Sequence, residues 1–350
     1  MKKNFYKLVS LSFMLASFLA LPLMVACADK GDNSDYHFPY EPDEENTSDS
    51  DWKGDPSEFP TEEWYETEVQ EGITWHYFNG YEEISGANQI INILEVDLNN
   101  TRYQLNFHYS ESGVTLPQAM ARYDNAVCGI NGAYEVESVY IKTEGTVNCD
   151  ELVEYIPGTS VPQWKNDGAV WMDENGNVGF TYIDSNTTSL QEQKTLLTAM
   201  TYPNIFSSAA MLINDHVNVG VNFVDTQGKS QSQLEAEYAS EDPIRHQGGT
   251  NPRTAIALTD DNHLLLVTVD GRRDNTAGMS AGTLATFLQD KFDPAYALNL
   301  DGGGSTTMCI KGWGDESTNV VNYPTDNNQF DHAGTRSVSS FFVITDSEMQ

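Results

Sequence analysis

The sequence predicts an α+β fold with a mixed β-sheet core, a few packed helices and a single large domain. Short runs rich in β-branched and aromatic residues dominate residues 73–346, whereas segments with helical spacing are few. No charge run or proline-rich linker divides this stretch, so we expect one domain. A doubly wound parallel sheet is the alternative, but it requires more helices than the sequence pattern provides.

Five runs have the composition of β-strands, and the segment 264–269 is almost continuously apolar, which predicts an inner strand. The predicted strands are 89–96, 103–107, 169–172, 179–183 and 264–269. The segment 173–177 has the Asp, Asn and Gly residues of a hairpin turn. It also partly resembles a calcium loop, but Val178 stands where that loop requires glycine, so the hairpin is favoured.

Helix signals are strongest after Ser280, a residue that can cap a helix. Apolar residues follow it at helical spacing, and the Asp293-Pro294 pair predicts the end of the helix. The spaced apolar residues are Leu284, Phe287, Leu288 and Phe292. A weaker helix candidate covers residues 118–123.

The N-terminus has the pattern of an export signal, in which lysines precede an apolar run over residues 8–25. The residues Leu23-Met24-Val25-Ala26 before Cys27 resemble a bacterial lipobox, whose cysteine becomes lipidated. This resemblance implies a lipoprotein signal peptide over residues 1–26 and a lipid anchor on Cys27 at the bacterial cell envelope. A plain secretory signal with a chance cysteine is the alternative reading.

Residues 27–72 are crowded with Asp, Glu, Ser and Pro, which predicts an extended acidic tether. The whole chain has a formal net charge of -34. Because phosphate backbones require clustered Lys and Arg, nucleic acid is excluded as an expected partner. We expect contact with a membrane only through the lipid anchor.

Three cysteines follow Cys27, and none stands in a metal-binding pattern. An exported protein can keep disulfides, so Cys128 and Cys149, which are neighbours in sequence, are the expected pair. Cys309 lies between Met308 and Ile310 and is expected to be a buried thiol. The sequence predicts no cofactor and no metal site, with a structural calcium ion left open.

The run from Asn299 to Met308 contains three consecutive glycines between two apolar segments. Such glycines cost backbone entropy, which suggests a geometric need such as close approach of backbone N–H groups to a ligand. A glycine bulge or tight turn in a sheet is an equally good reading of this run alone.

Polar clusters occur at four predicted strand ends, where side chains from separate segments can converge on one cleft. Arginine is scarce in this acidic chain, yet three arginines fall in these clusters, and guanidinium groups suit phosphate or carboxylate. A small anionic or sugar-phosphate ligand is therefore indicated. The clusters are 131–134, 251–254, 270–273 and 301–306.

The order of these motifs resembles the phosphodiester glycosidase family over roughly residues 128–343. The matching motifs are Ile130-Asn131-Gly132-Ala133-Tyr134, Ser208 to Asn214, Pro252-Arg253-Thr254-Ala255-Ile256, Asp270-Gly271-Arg272, Asn299 to Met308, Tyr323 to Asp326 and Arg336-Ser337-Val338. The resemblance implies hydrolysis of sugar-1-phosphodiesters to free sugar and a phosphomonoester. Ala133, Glu135 and Ala209 depart from the family pattern and bear on the shape of the pocket.

The resemblance implies a set of functional residues. Arg253, with Arg272, would bind the phosphodiester, and Asp270 or Asp301 would supply the catalytic carboxylate. Asn131 and Tyr134 would contact sugar hydroxyls. The predicted catalytic residues are Asp301, Asp270 and Arg253, and the predicted substrate-binding residues are Asn131, Tyr134, Thr254, Arg272, Gly302, Gly303, Gly304, Ser305, Thr306 and Arg336.

A second hypothesis stays open at this point. The chain could be a tethered module that binds glycan phosphates of the envelope without cleaving them. The presence of Asp270, Asp301 and Arg253 together favours catalysis.

Overall fold

The computed structural model describes residues 61–349, and these form three β-sheets and five α-helices. The α+β class and the single large domain are confirmed. The predicted signal peptide, Cys27 and most of the predicted tether lie outside the described residues. No helix within the described range is long and apolar enough to cross a membrane.

The largest sheet has eight strands and carries most of the core. Its order is β1 (Thr61–Gln70), β2 (Ile73–Glu82), β3 (Ala87–Asp97), β14 (His263–Val269), β13 (Arg253–Leu258), β15 (Tyr296–Asn299), β11 (Met211–Asn214) and β12 (Val217–Asn218). Strand β14 lies between β3 and β13, and six of its seven residues are buried. The prediction of an inner strand from its apolar run is therefore confirmed.

Strand β1 forms one edge of this sheet and pairs only with β2 among the described strands. It begins at Thr61, within the segment that composition assigns to the tether, so the folded part starts before residue 73. Its register is interrupted between Thr61 and Tyr65 and again between Glu68 and Gln70. The acidic composition of this segment did not predict a strand, although Trp64 of β1 packs against the core.

Two smaller sheets complete the described strands. One has the order β7 (Thr146–Cys149), β6 (Ile141–Thr143), β10 (Asn204–Ser208), β8 (Gly168–Met172) and β9 (Val178–Tyr182). The other has the order β16 (Met308–Ile310), β5 (Ala126–Asn131), β17 (Val338–Asp346) and β4 (Tyr103–Val114). Every pairing between the described strands is antiparallel. The mixed β-sheet core predicted from the sequence is therefore built, in the described part of the chain, from antiparallel pairs alone.

The helices are α1 (Leu116–Met120), α2 (Leu190–Ala199), α3 (Gln231–Glu237), α4 (Pro243–Gly248) and α5 (Ala281–Phe292). Helix α5 matches its prediction, because the Ser280 hydroxyl accepts a hydrogen bond from the Thr283 N–H and the helix ends at Phe292, with Asp293 as its C-cap. Helix α1 begins earlier and is shorter than the predicted segment 118–123. Helices α2 and α3 bury few apolar residues, so their sequences gave little helical signal.

The hairpin predicted between β8 and β9 is present. Asp173 Oδ1 accepts hydrogen bonds from the N–H groups of Asn175 and Asn177, which closes the turn. The Asp173 carboxylate therefore accepts hydrogen bonds within the turn, as expected for a hairpin.

The expected disulfide between Cys128 and Cys149 is wrong, because both cysteines are free. Cys128 lies in β5, buried between β16 and β17, whereas Cys149 ends β7 in a different sheet. Proximity in sequence therefore did not bring the two thiols together. The burial predicted for Cys309 is confirmed.

Because neighbouring strands of the large sheet are antiparallel, the C-terminal ends of β14 and β15 lie at the same end of the sheet as the N-terminal end of β13. Strand β13 lies between β14 and β15, with Arg253 opposite Val269 and Ala255 opposite Asn299. The last residue of β14 thus lies opposite the first residue of β13, and the last residue of β15 lies opposite the third. The polar residues that follow or begin these strands are placed side by side.

Candidate active site

The glycine run follows β15 and turns directly against the segment that leads into β13. A Cβ atom on Gly302 would lie 2.6 Å from the carbonyl oxygen of Pro252, and the Gly303 N–H donates to that oxygen at 2.9 Å. Gly303 has a φ of +59°, in the left-handed region that favours glycine. A close backbone approach and a left-handed turn therefore explain these two glycines.

Two guanidinium groups pack against the same run. A Cβ atom on Gly303 would lie 3.0 Å from Nη2 of Arg272, and one on Gly304 would lie 2.3 Å from Nη2 of Arg336. Consecutive glycines thus leave room for two arginine side chains from different loops. Asp301 stands just before this run.

Arg272 and Arg336 lie at the accessible rim of the site. Arg272 donates to Oδ1 of Asn251 at 3.1 Å, and Arg336 Nε donates to Oδ1 of Asp326 at 2.9 Å. Loss of solvation, followed by the nearby charge of Arg336, lowers the pKa of Arg272. A bound anion would stabilise the positive charge of Arg272, which the nearby Arg336 disfavours.

Asp301 is the partly accessible carboxylate of the run. Burial raises its pKa to about 6, while a hydrogen bond from Ser305 and the charges of Lys165 and Arg336 act in the opposite direction. Its carboxyl group can therefore change protonation state near neutral pH. This property suits a group that accepts or donates a proton in a reaction.

Asp270 has different surroundings, although its pKa is also raised to about 6 by burial. Its carboxylate is fully buried and accepts hydrogen bonds from the Asn322 amide at 2.9 Å and the Tyr323 N–H at 3.1 Å. The two predicted catalytic carboxylates thus occupy one neighbourhood but differ in access. Asp270 holds the segment around Asn322 in place.

Asn131 and Thr254 are both buried and bound to each other rather than exposed for a ligand. Thr254 Oγ1 donates to Oδ1 of Asn131 at 2.8 Å, and the Thr307 N–H donates to the same oxygen at 3.0 Å. The Asn131 amide nitrogen donates to the carbonyl oxygen of Asp301 at 2.7 Å. Asn131 therefore connects β5 and β13 to both ends of the glycine run.

Arg253 is completely buried, and its guanidinium group donates to main-chain carbonyl oxygens. Nε donates to Met279 at 2.7 Å, and Nη2 donates to His246 at 2.8 Å and Gly249 at 2.9 Å. Burial lowers its pKa to about 10. In this structure Arg253 joins the last turn of α4 to the start of β13 and α5.

Tyr134 is also buried, and its hydroxyl group lies at the centre of a hydrogen-bond network. The hydroxyl donates to the Ala209 carbonyl oxygen at 3.0 Å and accepts from Gln247 at 2.8 Å and Asn299 at 3.1 Å. Tyr134 therefore fixes the residues that precede Asp301. Its ring packs at steep angles against the rings of Trp164 and His246.

One charged cluster beside the site was missed by the sequence reasoning. Lys165 is 2% exposed, and its Nζ lies 2.7 Å from Glu135 and 2.8 Å from Glu241. The same ammonium lies over the ring of Tyr134, 4.8 Å from its centroid. No short motif marks such a cluster, since its members come from three separate segments. In the sequence, Glu135 is marked only by its departure from the family pattern.

The predicted site residues therefore divide into two groups. Those with access to solvent are Asp301, Gly303, Arg272 and Arg336. Those buried in this structure are Asn131, Tyr134, Arg253, Thr254, Asp270, Gly302, Gly304, Ser305 and Thr306. Ser305 is 2% exposed and accepts a hydrogen bond from Arg336 at 3.5 Å, whereas Thr306 Oγ1 has no hydrogen-bond partner within residues 61–349. The arrangement can bind an anion beside a carboxyl group that titrates near neutral pH.

A separate cavity of about 360 Å³ lies at the beginning of α5. Its lining includes Ser280, Thr283 and Gln247 but none of the predicted site residues. Within residues 61–349 no group of His, Cys, Asp and Glu is arranged to hold a metal ion.

Comparison with known proteins agrees with the motif order. The sequence profile of the phosphodiester glycosidase family matches residues 124–345 of the chain. The zebrafish N-acetylglucosamine-1-phosphodiester alpha-N-acetylglucosaminidase catalytic domain, auto-inhibited by pro-peptide, is similar in structure, with a TM-score of 0.53 and 17% sequence identity. That match covers 81% of this chain and 88% of the zebrafish chain.

A hypothetical protein from Synechocystis is also similar, with a TM-score of 0.52 and 14% sequence identity. The match covers 82% of this chain and 64% of the Synechocystis chain. At these identities the structural likenesses concern the fold. No match was found among curated proteins.

Proposed function

Because the chain belongs to the phosphodiester glycosidase family, we propose that it hydrolyses sugar-1-phosphodiesters to a free sugar and a phosphomonoester. The name of the zebrafish relative makes N-acetylglucosamine-1-phosphodiesters the first substrates to test. The observation that carries the proposal is the packing of Arg272 and Arg336 against Gly303 and Gly304, next to Asp301.

The two guanidinium groups supply the phosphate site in this proposal. A phosphodiester has one negative charge, and the leaving phosphate gains a second as the bond to the anomeric carbon breaks. Guanidinium groups at fixed positions stabilise that developing charge more in the transition state than in the bound substrate. Because the phosphomonoester leaves readily, strong acid assistance is not required.

Asp301 is the proposed base. Its carboxylate takes a proton from water, the water oxygen bonds to the anomeric carbon, and the electron pair of the broken carbon–oxygen bond stays with the phosphate. The products are the sugar hemiacetal and the phosphomonoester, and the proton on Asp301 returns to solvent. The raised pKa of Asp301 makes it a stronger base than an ordinary carboxylate.

The buried predicted residues receive supporting roles. Arg253 and Tyr134 are proposed to position the loops around Asp301, because their hydrogen bonds go to the protein itself. Asn131 and Thr254 would hold the glycine run. Their contribution to catalysis is therefore proposed to be indirect.

Hydrolysis in water labelled with heavy oxygen tests the chemistry. Cleavage at the anomeric carbon places the label in the sugar, whereas attack on phosphorus places it in the phosphomonoester, which would contradict the proposal. The purified protein is incubated with a panel of sugar-1-phosphodiesters, with Asp301→Asn as the inactive control. Saturable binding of a substrate without any product would instead support the alternative of a non-catalytic glycan-phosphate-binding protein.

The proposed location is the bacterial cell envelope, through lipid attachment at Cys27. This proposal rests on the lipobox-like residues before Cys27 and on the lysines and apolar run that precede them. Cell fractionation of the wild type and of Cys27→Ser tests it. The wild type should sediment with membranes and the variant should be released; equal distribution of both would contradict a lipid anchor.

A further inference from the structure

Arg272 and Arg336 pack against the glycine run, and Arg273 and Arg245 lie near Arg272; we call these four residues the arginine rim. Each of the other three lies near enough to Arg272 to disfavour its positive charge. The chain has only 18 Lys and Arg residues against 52 Asp and Glu residues. A concentration of four guanidinium groups is therefore a local reversal of the protein's overall charge.

Most of this rim is not neutralised by carboxylates. Arg336 pairs with Asp326, but among the described residues no carboxylate oxygen lies within 4.0 Å of the other three guanidinium groups. An acidic protein has many carboxylates with which to neutralise its arginines. Positive charge that no carboxylate pairs with, beside the candidate site, is available to an anionic ligand.

Carbonyl oxygens hold the rim arginines in position instead. Arg245 Nη1 donates to the carbonyl oxygens of Glu235 and Tyr238 at 3.3 and 3.2 Å. Arg273 Nη1 donates to the Arg272 carbonyl oxygen at 3.0 Å, and its Nη2 has a longer bond of 3.4 Å to Gln329.

The hydrogen-bonding capacity of Arg273 is incompletely used. Its Nε has no partner among the described residues, and its bond to Gln329 is near the limit of a hydrogen bond. Gln329 belongs to the loop that also leads to Arg336. Through its bond to the Arg272 carbonyl oxygen, Arg273 therefore lies next to a residue of the proposed phosphate site, and its Nη groups make only two hydrogen bonds within the described part of the chain.

One phosphodiester has a single negative charge, and Arg272 and Arg336 together match it even after Asp326 has neutralised one of their two positive charges. We propose that the arginine rim binds a second phosphate of the same ligand through Arg273, and that the substrate is a chain of sugars joined by repeated phosphodiesters. This inference rests on the proposed function for the substrate, but the binding of a ligand with several phosphate groups does not depend on turnover.

Calorimetric binding of inorganic tripolyphosphate and orthophosphate tests the second phosphate site directly. Wild-type protein should bind tripolyphosphate at least about tenfold more tightly than orthophosphate, because two charge-assisted sites act on one ligand. Arg273→Gln should reduce this preference to about twofold, whereas Arg273→Lys keeps the charge and should retain most of it. Arg122→Gln removes the same charge from an exposed position outside the rim and should leave the preference unchanged.

Kinetics with defined substrates test the substrate class. A methyl phosphodiester of N-acetylglucosamine-1-phosphate provides one phosphate, and the corresponding dimer provides two. Arg273→Gln should raise KM for the dimer about tenfold and change KM for the methyl phosphodiester by no more than about twofold. Thermal unfolding of both variants shows that the fold is retained.

The outcomes separate this inference from the proposed function. Equal affinity of the wild type for tripolyphosphate and orthophosphate would overturn the second phosphate site. So would an equal loss of the tripolyphosphate preference in Arg273→Gln and Arg122→Gln. If the tripolyphosphate preference depends on Arg273 but no phosphodiester is hydrolysed, the arginine rim is supported and the hydrolytic function is rejected.

Discussion

The side-chain amide of Asn322 donates to Oδ1 of Asp270 at 2.9 Å, deep beneath the glycine run. The same amide donates to the carbonyl oxygen of Thr306 at 3.1 Å, so the amide joins the end of β14 to the segment that follows the run. Two carboxylates that look equivalent in sequence thus have different surroundings. Asp270 is buried and holds the segment around Asn322 in place, whereas Asp301 is partly accessible.

Substitution of the two aspartates by alanine should separate these roles. Asp301→Ala should lower kcat about a thousandfold with little change in the melting temperature, because it removes the proposed base from a partly accessible position. Asp270→Ala should lower the free energy of unfolding by about 1–3 kcal/mol, because the donors of Asn322 and Tyr323 lose their buried acceptor. Steady-state kinetics and thermal unfolding of both variants provide the test. If Asp301→Ala were less stable but fully active, Asp301 would have a structural role and could not be the proposed base.

The pH dependence of kcat/KM should report the titration of Asp301. Burial raises the pKa of Asp301 to about 6, and a base acts in its deprotonated form, so kcat/KM should rise with pH and level off above this value. At pH 5 the rate should be about tenfold below the plateau. The substrate does not titrate in this range, since a phosphodiester has only a strongly acidic proton.

Glu135→Gln provides a check on this assignment. The charge of Glu135 raises the pKa of Asp301, so its removal should move the rising limb of the profile to lower pH. A limb that stays in place in Glu135→Gln would show that another group controls the rate.

Alanine substitutions at two glycines of the run should have unlike effects. A Cβ atom on Gly304 would meet the flexible ends of Arg336 and Asp326, whereas one on Gly302 would meet the main-chain oxygen of Pro252 at 2.6 Å. Gly304→Ala should therefore raise KM by displacing Arg336 while the protein stays folded. Gly302→Ala should lower the melting temperature, because backbone cannot move aside cheaply. Equal stability of both variants would argue against this difference in packing.

The stability of the large sheet should depend on pH through Glu95. A hydrogen bond from His76 is the main cause that lowers the pKa of Glu95 to about 2, and His263 adds to it. Burial alone would lower the pKa of His263, but the bond to Glu95 and nearby carboxylates raise it overall.

The directions of the pKa shifts of Glu95 and His263 define the pH range in which both residues contribute to stability. The contribution of Glu95 is present above its ordinary pKa of 4.5 and is lost as pH falls toward 2. The contribution of His263 is complete below its ordinary pKa of 6.5 and is lost as pH rises through its folded-state value. Glu95→Gln should therefore lower the melting temperature most near pH 5.5 and less at pH 8. A difference from the wild type that grows toward pH 8 would contradict this.

Local signals in the sequence predicted much of the fold. Helix α5 followed from Ser280 and the spacing of apolar residues, and the inner strand β14 followed from its continuous apolar run. The strand β1 was missed because its alternation lies within acidic composition. The disulfide prediction failed because Cys128 and Cys149 are close in sequence but belong to different sheets.

The sequence motifs predicted which residues belong to the candidate site. They did not predict which of these residues are buried and which are accessible to a ligand. Arg253 and Arg272 both follow the pattern of arginine at a strand end, yet Arg253 is enclosed by carbonyl oxygens and Arg272 reaches the rim. Burial of a particular side chain depends on segments distant in sequence, here α4 and α5. The cluster of Lys165, Glu135 and Glu241 arises in the same way and has no local signal.

The irregular register of the edge strand β1 also affects how copies of the protein behave when crowded together. An uninterrupted strand edge can pair with the edge of a neighbouring molecule and begin aggregation. The two interruptions in β1, together with the exposed carboxylates of Glu66 and Glu68, oppose such pairing through poor geometry and mutual repulsion. High local concentration should therefore leave these molecules separate rather than joined into fibres.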